Sequence, residues 1–190
     1  MNEYWSDKKL IGQGGNGKVF RIRKSDGKLY AVKILNRTKV DKAYQRFKDE
    51  IRVLKKLNNE KGIIKILEFH LPENITSEDK PYYVMPLGIR LDEYLRNKTH
   101  TQFYSIIIKL ARTLAMLHEL GITHRDIKPD NILVIEDEPV FSDFGLAHFP
   151  KKERISDARE KIGPAWTIAP EMKRISSAAE FKKADIYSFA

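Results

Sequence analysis

The segment HRDIKPDN at residues 124–131, followed by DFG at residues 143–145, determines which fold this sequence predicts. The two strings hold acids, a lysine and an amide at fixed intervals. Asp126 is suited to accept a proton from a hydroxyl group, and Lys128 to neutralise a phosphoryl group during its transfer. The side-chain oxygens of Asn131 and Asp143 are ligands that Mg²⁺ accepts. The order and spacing of these residues therefore predict phosphoryl transfer.

On these motifs the chain resembles a eukaryotic-type Ser/Thr protein kinase domain, and the resemblance extends over residues 5–190. It implies an α+β, protein-kinase-like fold. Residues 1–87 would form a small N-lobe with a five-stranded antiparallel sheet and one helix, and residues 88–190 a mostly helical C-lobe. ATP and Mg²⁺ are the implied cofactors, and the implied partner is a protein substrate with a Ser or Thr acceptor.

Kinases that phosphorylate small molecules, such as aminoglycosides, share the HxDxxxxN pattern and are an alternative. Lys128, two residues after the implied catalytic acid, is typical of Ser/Thr kinases. The APE string at residues 169–171 also resembles protein kinases. Both features favour a protein substrate over a small molecule.

The glycine-rich segment GQGGNG at residues 12–17 has three phosphate-binding interpretations and one without a ligand. It matches G-x-G-x-x-G, and with Lys18 it almost matches a P-loop, although Val19 stands where a P-loop needs Ser or Thr. A dinucleotide fingerprint and a P-loop must both open a helix. Here the glycines open a strand-like run at residues 19–23, which favours a hairpin folded over nucleotide phosphates. A flexible turn without a ligand is the remaining interpretation.

The resemblance implies roles for single residues. Lys33 lies in an apolar run, so its ammonium group needs a partner, and the implied one is Glu50 on the following helix. A solvated pair of Glu50 with Lys56 or Arg46 is the alternative. The implied catalytic residues are Asp126, Lys128, Lys33 and Glu50, and the implied metal ligands are Asn131 and Asp143. The implied nucleotide contacts are Gly12, Gly14, Gly15, Gly17, Val19, Ala31, Lys33, Met85, Leu87 and Leu133.

Other residues are interpreted as structural or regulatory. His124 and Phe144 would stack with Leu54 as packing residues. Phosphorylation of Ser156, or of Thr167 as the second choice, would regulate activity through contacts with Arg125. A plain solvated loop is the alternative for this segment. Pro164 stands where Ser/Thr kinases place a threonine that contacts the catalytic residues, which puts the positioning of a peptide substrate in doubt.

The hydrophobic pattern predicts the order of elements. Asp26-Gly27 is a hairpin signal between β-rich runs. Apolar residues at helical spacing predict a helix over residues 41–57. Further strands are predicted at residues 63–69 and 82–87, a loop at 71–81, helices at 91–98 and 103–120, and a short hairpin formed by residues 132–135 and 140–141. The hinge between the lobes is predicted at residues 85–90.

Composition limits the remaining choices. The chain has 190 residues, no cysteine and a formal net charge of +9, so disulfides and thiolate metal sites are excluded. Its basic residues alternate with acids, which favours a solvated basic surface or attraction to acidic protein substrates over nucleic-acid binding. The first ten residues lack the pattern of a signal peptide, and the longest apolar run is too short to cross a membrane. We expect a cytoplasmic protein and make no prediction of its oligomeric state.

Residues 185–190, DIYSFA, resemble the start of the long central helix of a kinase C-lobe, and the chain then stops. We therefore expect an incomplete C-lobe in which the helix at residues 103–120 lacks cover and exposes an apolar patch. Marginal stability or association is expected on this ground. A catalytically inactive nucleotide-binding or scaffolding fragment is the alternative function.

Overall fold

The computed structural model describes residues 5–14, 17–36, 41–149 and 178–190. The chain divides into two compact units. The first comprises Met1–Asn59 and Ile64–Gly88, and the second comprises Glu60–Ile63 and Ile89–Ala190. Five parts of the sequence interpretation lie outside the described residues: Gly15, Ser156, Pro164, Thr167 and the APE string at residues 169–171.

The first unit is built on an antiparallel sheet of five strands, which confirms the predicted N-lobe architecture. The strand order is β1-β2-β3-β5-β4. The hairpin between β2 and β3 turns at Gly27, which has φ 76°, and the Asp26 carboxylate accepts a hydrogen bond from the Lys28 amide. The strands are β1 (Ser6–Gly14), β2 (Gly17–Arg23), β3 (Leu29–Ile34), β4 (Glu68–His70) and β5 (Tyr82–Pro86).

The helix α1 (Lys42–Lys56) of the first unit follows from a cap and an apolar stripe. Asp41 Oδ1 accepts hydrogen bonds from the amides of Ala43 and Tyr44, which satisfies two backbone donors that a helix leaves open at its start. Phe47 and Ile51 are buried on the stripe that the sequence periodicity predicts.

The strand predicted at residues 63–69 is wrong in extent, because only Glu68–His70 joins the sheet. Ile63 instead forms an isolated bridge to Phe141, and the Phe141 amide donates to the Gly62 carbonyl at 2.8 Å. Gly62 has φ 78°, and a Cβ there would lie 2.0 Å from the Thr113 hydroxyl oxygen. The segment Glu60–Ile63 therefore belongs to the second unit.

The second unit combines helices with a three-stranded sheet of order β6-β7-β8. Its longest helix begins three residues before the predicted start because Thr99 and Gln102 form a capping box. Gly121, with φ 75°, follows the end of that helix. The elements are β6 (Ile89–Arg90), α2 (Leu91–Leu95), α3 (His100–Glu119), β7 (Ile132–Ile135), β8 (Glu138–Phe141) and α4 (Ala178–Phe189).

Apolar side chains of α3 fall into two groups. Leu110 and Leu117 are fully buried, whereas Tyr104 and Ile108 are 61% and 50% exposed. Among the described helices, none combines the length and the apolar character that crossing a membrane requires.

Candidate active site

Five of the implied nucleotide contacts of the first unit share one face of its sheet. Gly12 is paired with Val19, which is paired in turn with Lys33, so these three side-chain positions form a row across β1, β2 and β3. Ala31 and Met85 are paired in the next row on the same face. The pleat of the sheet thus brings together five residues that are as many as 73 positions apart in the sequence.

The glycine-rich segment joins two strands, with Gly14 paired to Gly17. Gly17 has φ 132°, and a Cβ at this position would lie 2.4 Å from the Ile34 carbonyl oxygen. A side chain there is excluded by both the backbone conformation and the close approach of β3. A Cβ at Gly14 would meet nothing within 4 Å.

Lys33 and Glu50 form a buried ion pair within the first unit. Lys33 Nζ donates to the two carboxylate oxygens of Glu50 at 2.8 and 3.0 Å. The two residues are 5% and 1% exposed, so each charge depends on the other for compensation. The alternative, a solvated pair of Glu50 with Lys56 or Arg46, does not fit a carboxylate that is 1% exposed.

Tyr83 completes this cluster and was not identified from the sequence. It is the β5 residue paired with Lys33, and its hydroxyl donates to Glu50 Oε1 at 2.9 Å. The ring packs against Phe47 at 5.5 Å and lies 5.7 Å from the Lys33 ammonium nitrogen. A tyrosine in the middle of a buried strand needs a partner for its hydroxyl group, and that requirement was the available signal.

Asp126 is buried in the second unit and is contacted by two of the residues that the sequence groups with it. Lys128 Nζ donates to its two carboxylate oxygens at 3.1 and 2.9 Å. The Asn131 amide nitrogen donates to Asp126 Oδ2 at 2.7 Å and to the Asp126 carbonyl oxygen at 2.8 Å. The amide group is thereby oriented with its oxygen directed away from Asp126.

Asn131 and Asp143 lie at the open end of one hairpin. β7 and β8 begin their pairing at Ile132 opposite Phe141. Beyond that pair, the Ser142 amide and hydroxyl donate to the Asn131 carbonyl oxygen at 2.8 and 3.0 Å, and Asp143 follows directly. The donor set is an amide oxygen and a carboxylate, both hard ligands, so it fits Mg²⁺ better than a thiolate-seeking metal.

Asp185 anchors the start of the HRDIKPDN segment and was also missed from the sequence. Its carboxylate accepts hydrogen bonds at 2.8 Å from the backbone amides of His124 and Arg125. His118 Nε2 lies 3.0 Å from the same carboxylate, which is buried. A single acid in the otherwise apolar DIYSF run of α4 was the signal for such a role.

His124 has the packing role that the sequence suggests. Its ring lies 4.7 Å from that of Phe144 and 5.6 Å from that of Phe141. Its Nε2 atom is 3.0 Å from the Ser142 carbonyl oxygen. Contact with Leu54 stays a prediction, and Leu54 is fully buried within the first unit.

Arg125 and Asp143 have backbone conformations that residues other than glycine rarely adopt. Arg125 has φ 67° and Asp143 has φ 59°. The Arg125 guanidinium lies 4.3 Å from the ring centroid of Phe181, a cation–π contact that holds it against α4. Such strained conformations cluster at functional sites because surrounding contacts maintain them.

The remaining implied contacts lie at the edges of the two units. Leu87 is half-buried just after β5. Leu133, also half-buried, is paired with Arg90 of β6. Arg90 contacts Asp130 at 2.7 Å, and its hydrogen bond to Asp92 holds the pKa of that carboxyl group below its ordinary value.

Comparisons with known proteins point to a single family. The model of the family described as "protein kinase domain" matches residues 5–190. Serine/threonine-protein kinase MPS1 of Saccharomyces cerevisiae is 27% identical over 172 residues, covering 85% of this chain and 22% of that protein. Calcium-dependent protein kinase 5 of Plasmodium berghei is 30% identical over 97% of this chain and 33% of its own length. Cysteine-rich receptor-like protein kinase 34 of Arabidopsis thaliana is 34% identical over 97% of this chain and 28% of its own length.

These relatives are much longer proteins. The chain spans from 22% to 33% of the length of the three relatives named.

Proposed function

Because the chain belongs to the protein kinase family, we propose that it transfers the γ-phosphate of Mg²⁺-ATP to serine or threonine hydroxyl groups of protein substrates. We assign residues 1–87 to the nucleotide-binding N-lobe and residues 88–190 to the C-lobe with the catalytic loop. The observation that carries this function is the contact of buried Asp126 with both Lys128 and Asn131. This arrangement brings the proposed base Asp126, the cation Lys128 and the proposed metal ligand Asn131 together in one loop.

Asp126 is assigned the role of orienting the attacking hydroxyl group and accepting its proton. Lys128, which contacts the same carboxylate, is placed to neutralise charge on the transferring phosphoryl group. Asn131 and Asp143 would hold the metal ion, whose charge would neutralise phosphate oxygens when it is bound. Catalysis of this kind depends on positioning, and the hydrogen bonds of Asn131 fix the orientation of Asp126.

Lys33 is assigned to the α- and β-phosphates of the nucleotide, with Glu50 holding its ammonium group. Gly12, Gly14, Gly15 and Gly17 are assigned to the loop that covers the phosphates. The adenine ring is assigned to Val19, Ala31, Met85, Leu87 and Leu133. This assignment is supported by the common sheet face that Val19, Ala31 and Met85 share with Lys33.

The proposed function is tested by transfer of labelled γ-phosphate from Mg²⁺-ATP to a generic basic protein. Asp126→Asn keeps the size of the side chain and removes the base, so we expect a loss of about a hundredfold or more in rate. Asp130→Asn is the matched control, because Asp130 is an exposed acid in the same loop that pairs with Arg90 at the surface. Phosphoamino acid analysis of the product would distinguish Ser and Thr from Tyr.

The possible results separate the two candidate functions. Transfer that Asp126→Asn abolishes and Asp130→Asn preserves supports the kinase. ATP binding without transfer by the unsubstituted chain supports the alternative, a nucleotide-binding protein that does not catalyse. Equal activity of the Asp126→Asn variant and the unsubstituted chain contradicts the assignment of Asp126.

The proposed partner is a protein with a Ser or Thr acceptor, and the proposed location is the cytoplasm. The named relatives are protein kinases by description, which supports a protein rather than a small molecule as the acceptor. A panel of peptides offered alongside an aminoglycoside would test this choice, since phosphate appearing only on the aminoglycoside contradicts it.

A further inference from the structure

The sheet of the first unit has a second face, which takes no part in the proposed function. Because strand residues alternate in direction, Phe20, Ile34 and Tyr82 lie opposite to the face that carries Lys33. A pocket of about 420 Å³ opens on this second face. That volume is within the range of small-molecule sites in proteins. We call it the back-face pocket.

Aromatic side chains line the back-face pocket. The rings of Trp5 and Tyr82 meet edge to face with centroids 4.8 Å apart, and Phe20 also lines the wall. All three pack against the buried cluster of Ile22, Val32 and Val84, so their positions are fixed by the core of the unit. The pocket therefore offers a preformed surface for a flat apolar group, since aromatic rings pack favourably against one another.

Cationic groups stand above this aromatic surface. The Lys8 ammonium nitrogen lies 4.4 Å from the Phe20 ring centroid, and Lys80 Nζ donates to Asn36 Oδ1 at 3.1 Å. Both lysines line the pocket, and the pKa of Lys8 is lowered first by burial and then by the charge of Lys80. Lys18 also lines the pocket.

The rim also contains acids, which are fewer than the lysines. Asp79 lies 2.6 Å from His70 Nε2. Glu78 is exposed to solvent. Three lysines against these two acids leave a site that favours an anion, and the mutual repulsion of Lys8 and Lys80 favours a doubly charged one.

We propose that the back-face pocket binds an aryl phosphate, a small molecule in which an aromatic ring carries a dianionic phosphate group. The ring packs on Trp5, Phe20 and Tyr82, and the phosphate accepts hydrogen bonds from Lys8 and Lys80. Binding at this face is independent of the proposed kinase activity, because Lys33 and the implied nucleotide contacts of the sheet project from its other side.

Phenyl phosphate is the probe, with phenol and inorganic phosphate as its two halves. The chain has two tryptophans, so Trp166→Phe leaves Trp5 as the single fluorescent reporter. We expect saturable quenching by phenyl phosphate, with an affinity at least about tenfold higher than for phenol or inorganic phosphate, because ring and charge contribute together. Isothermal titration of the unsubstituted chain checks that Trp166→Phe has not altered the site.

Matched variants locate the site. Lys8→Ala and Lys80→Ala should each weaken phenyl phosphate binding about threefold or more, the effect of removing one partly exposed charge contact. Lys9→Ala is the control, because Lys9 neighbours Lys8 on β1 but is paired with Arg21 on the Lys33 side of the sheet. Lys9→Ala should leave the affinity unchanged. Saturating Mg²⁺-ATP should not displace the probe.

Four results would overturn the back-face pocket as an aryl phosphate site. They are displacement by Mg²⁺-ATP, equal weakening by Lys9→Ala and Lys8→Ala, equal affinity for inorganic phosphate, and absence of saturation at millimolar probe. The first would assign the probe to the nucleotide site, and the second and third to a diffuse basic surface. Loss of kinase activity in any of these variants has no bearing on the outcome, because the readout is binding at Trp5.

Discussion

Tyr83 donates a hydrogen bond to Glu50 from the strand position directly opposite Lys33. The buried ion pair of Lys33 and Glu50 therefore has a third member, the neutral hydroxyl group of Tyr83. Lys33 occupies both carboxylate oxygens, and the Tyr83 hydroxyl adds a second donor to Oε1. A carboxylate held from β3 and β5 together has little freedom to turn away from Lys33.

We expect Tyr83→Phe to loosen this cluster. The buried hydrogen bond to a charged group contributes about 1.5–3 kcal/mol, so the free energy of unfolding should fall by that amount. The Michaelis constant for ATP should rise more than kcat falls, because Lys33 is the proposed phosphate contact. Tyr82→Phe is the control, since its hydroxyl donates to Glu68 on the other sheet face. Equal effects of the two substitutions in urea unfolding and steady-state kinetics would contradict the role of Tyr83.

Glu50→Gln should be more damaging. It removes the carboxylate that the buried Lys33 ammonium group contacts at 2.8 and 3.0 Å, and breaking a buried pair costs about 3–5 kcal/mol. Chemical denaturation measures this loss, and a phosphate-transfer assay should show little activity. Asp49→Asn on the same helix is the milder comparison: the Asp49 carboxylate is buried but contacts Arg52, whose side chain is 52% exposed, and the Asn oxygen can still accept from Gln45, so we expect a smaller loss of about 1–2 kcal/mol. Normal activity of the Glu50→Gln variant would reject the assignment of Glu50.

Gly17→Ala tests the glycine-rich hairpin. The φ of 132° and the approach of the Ile34 carbonyl oxygen leave no room for Cβ, so we expect a loss of about 1–3 kcal/mol in stability and weaker ATP binding. Gly14→Ala is matched to it across the hairpin and meets no atom within 4 Å. Thermal unfolding of the two variants, with and without Mg²⁺-ATP, should separate them clearly. A Gly17→Ala variant as stable as Gly14→Ala would show that β3 can move aside.

Asp185→Asn should release the backbone of the catalytic loop. One of the two carboxylate oxygens becomes an amide nitrogen, so at least one of the His124 and Arg125 amides loses its acceptor. We expect faster hydrogen exchange at these two amides, a lower kcat, and a stability loss of about 1.5–3 kcal/mol. Ser188→Ala is the control. It removes a hydrogen bond from the Ser188 hydroxyl to the Ala184 carbonyl oxygen on the same helix, and it should alter none of these quantities strongly. Unchanged exchange at the two amides would contradict the anchoring role.

Local patterns predicted much of this fold. The Asp26-Gly27 turn and the apolar stripe of α1 involve residues close in sequence, and both are present. The predicted strand at residues 63–69 was too long because Ile63 pairs with Phe141, 78 positions away. Hydrophobic alternation carries no information about such a distant partner. The same reason explains why Tyr83 was missed, since its importance depends on which residue faces it across the strands.

Some contacts around Asp126 join residues close in the sequence and others join distant residues. This difference predicts the order in which the contacts form during folding. Asn131 meets Ser142 across eleven positions, a loop that closes in well under a microsecond. The His124 amide meets Asp185 across 61 positions. During synthesis the hairpin of β7 and β8 can therefore form soon after it leaves the ribosome, while the His124 and Arg125 amides gain Asp185 as their acceptor only after α4 has been made. Nascent chains that lack α4 should hold the hairpin but exchange the hydrogens of these two amides faster.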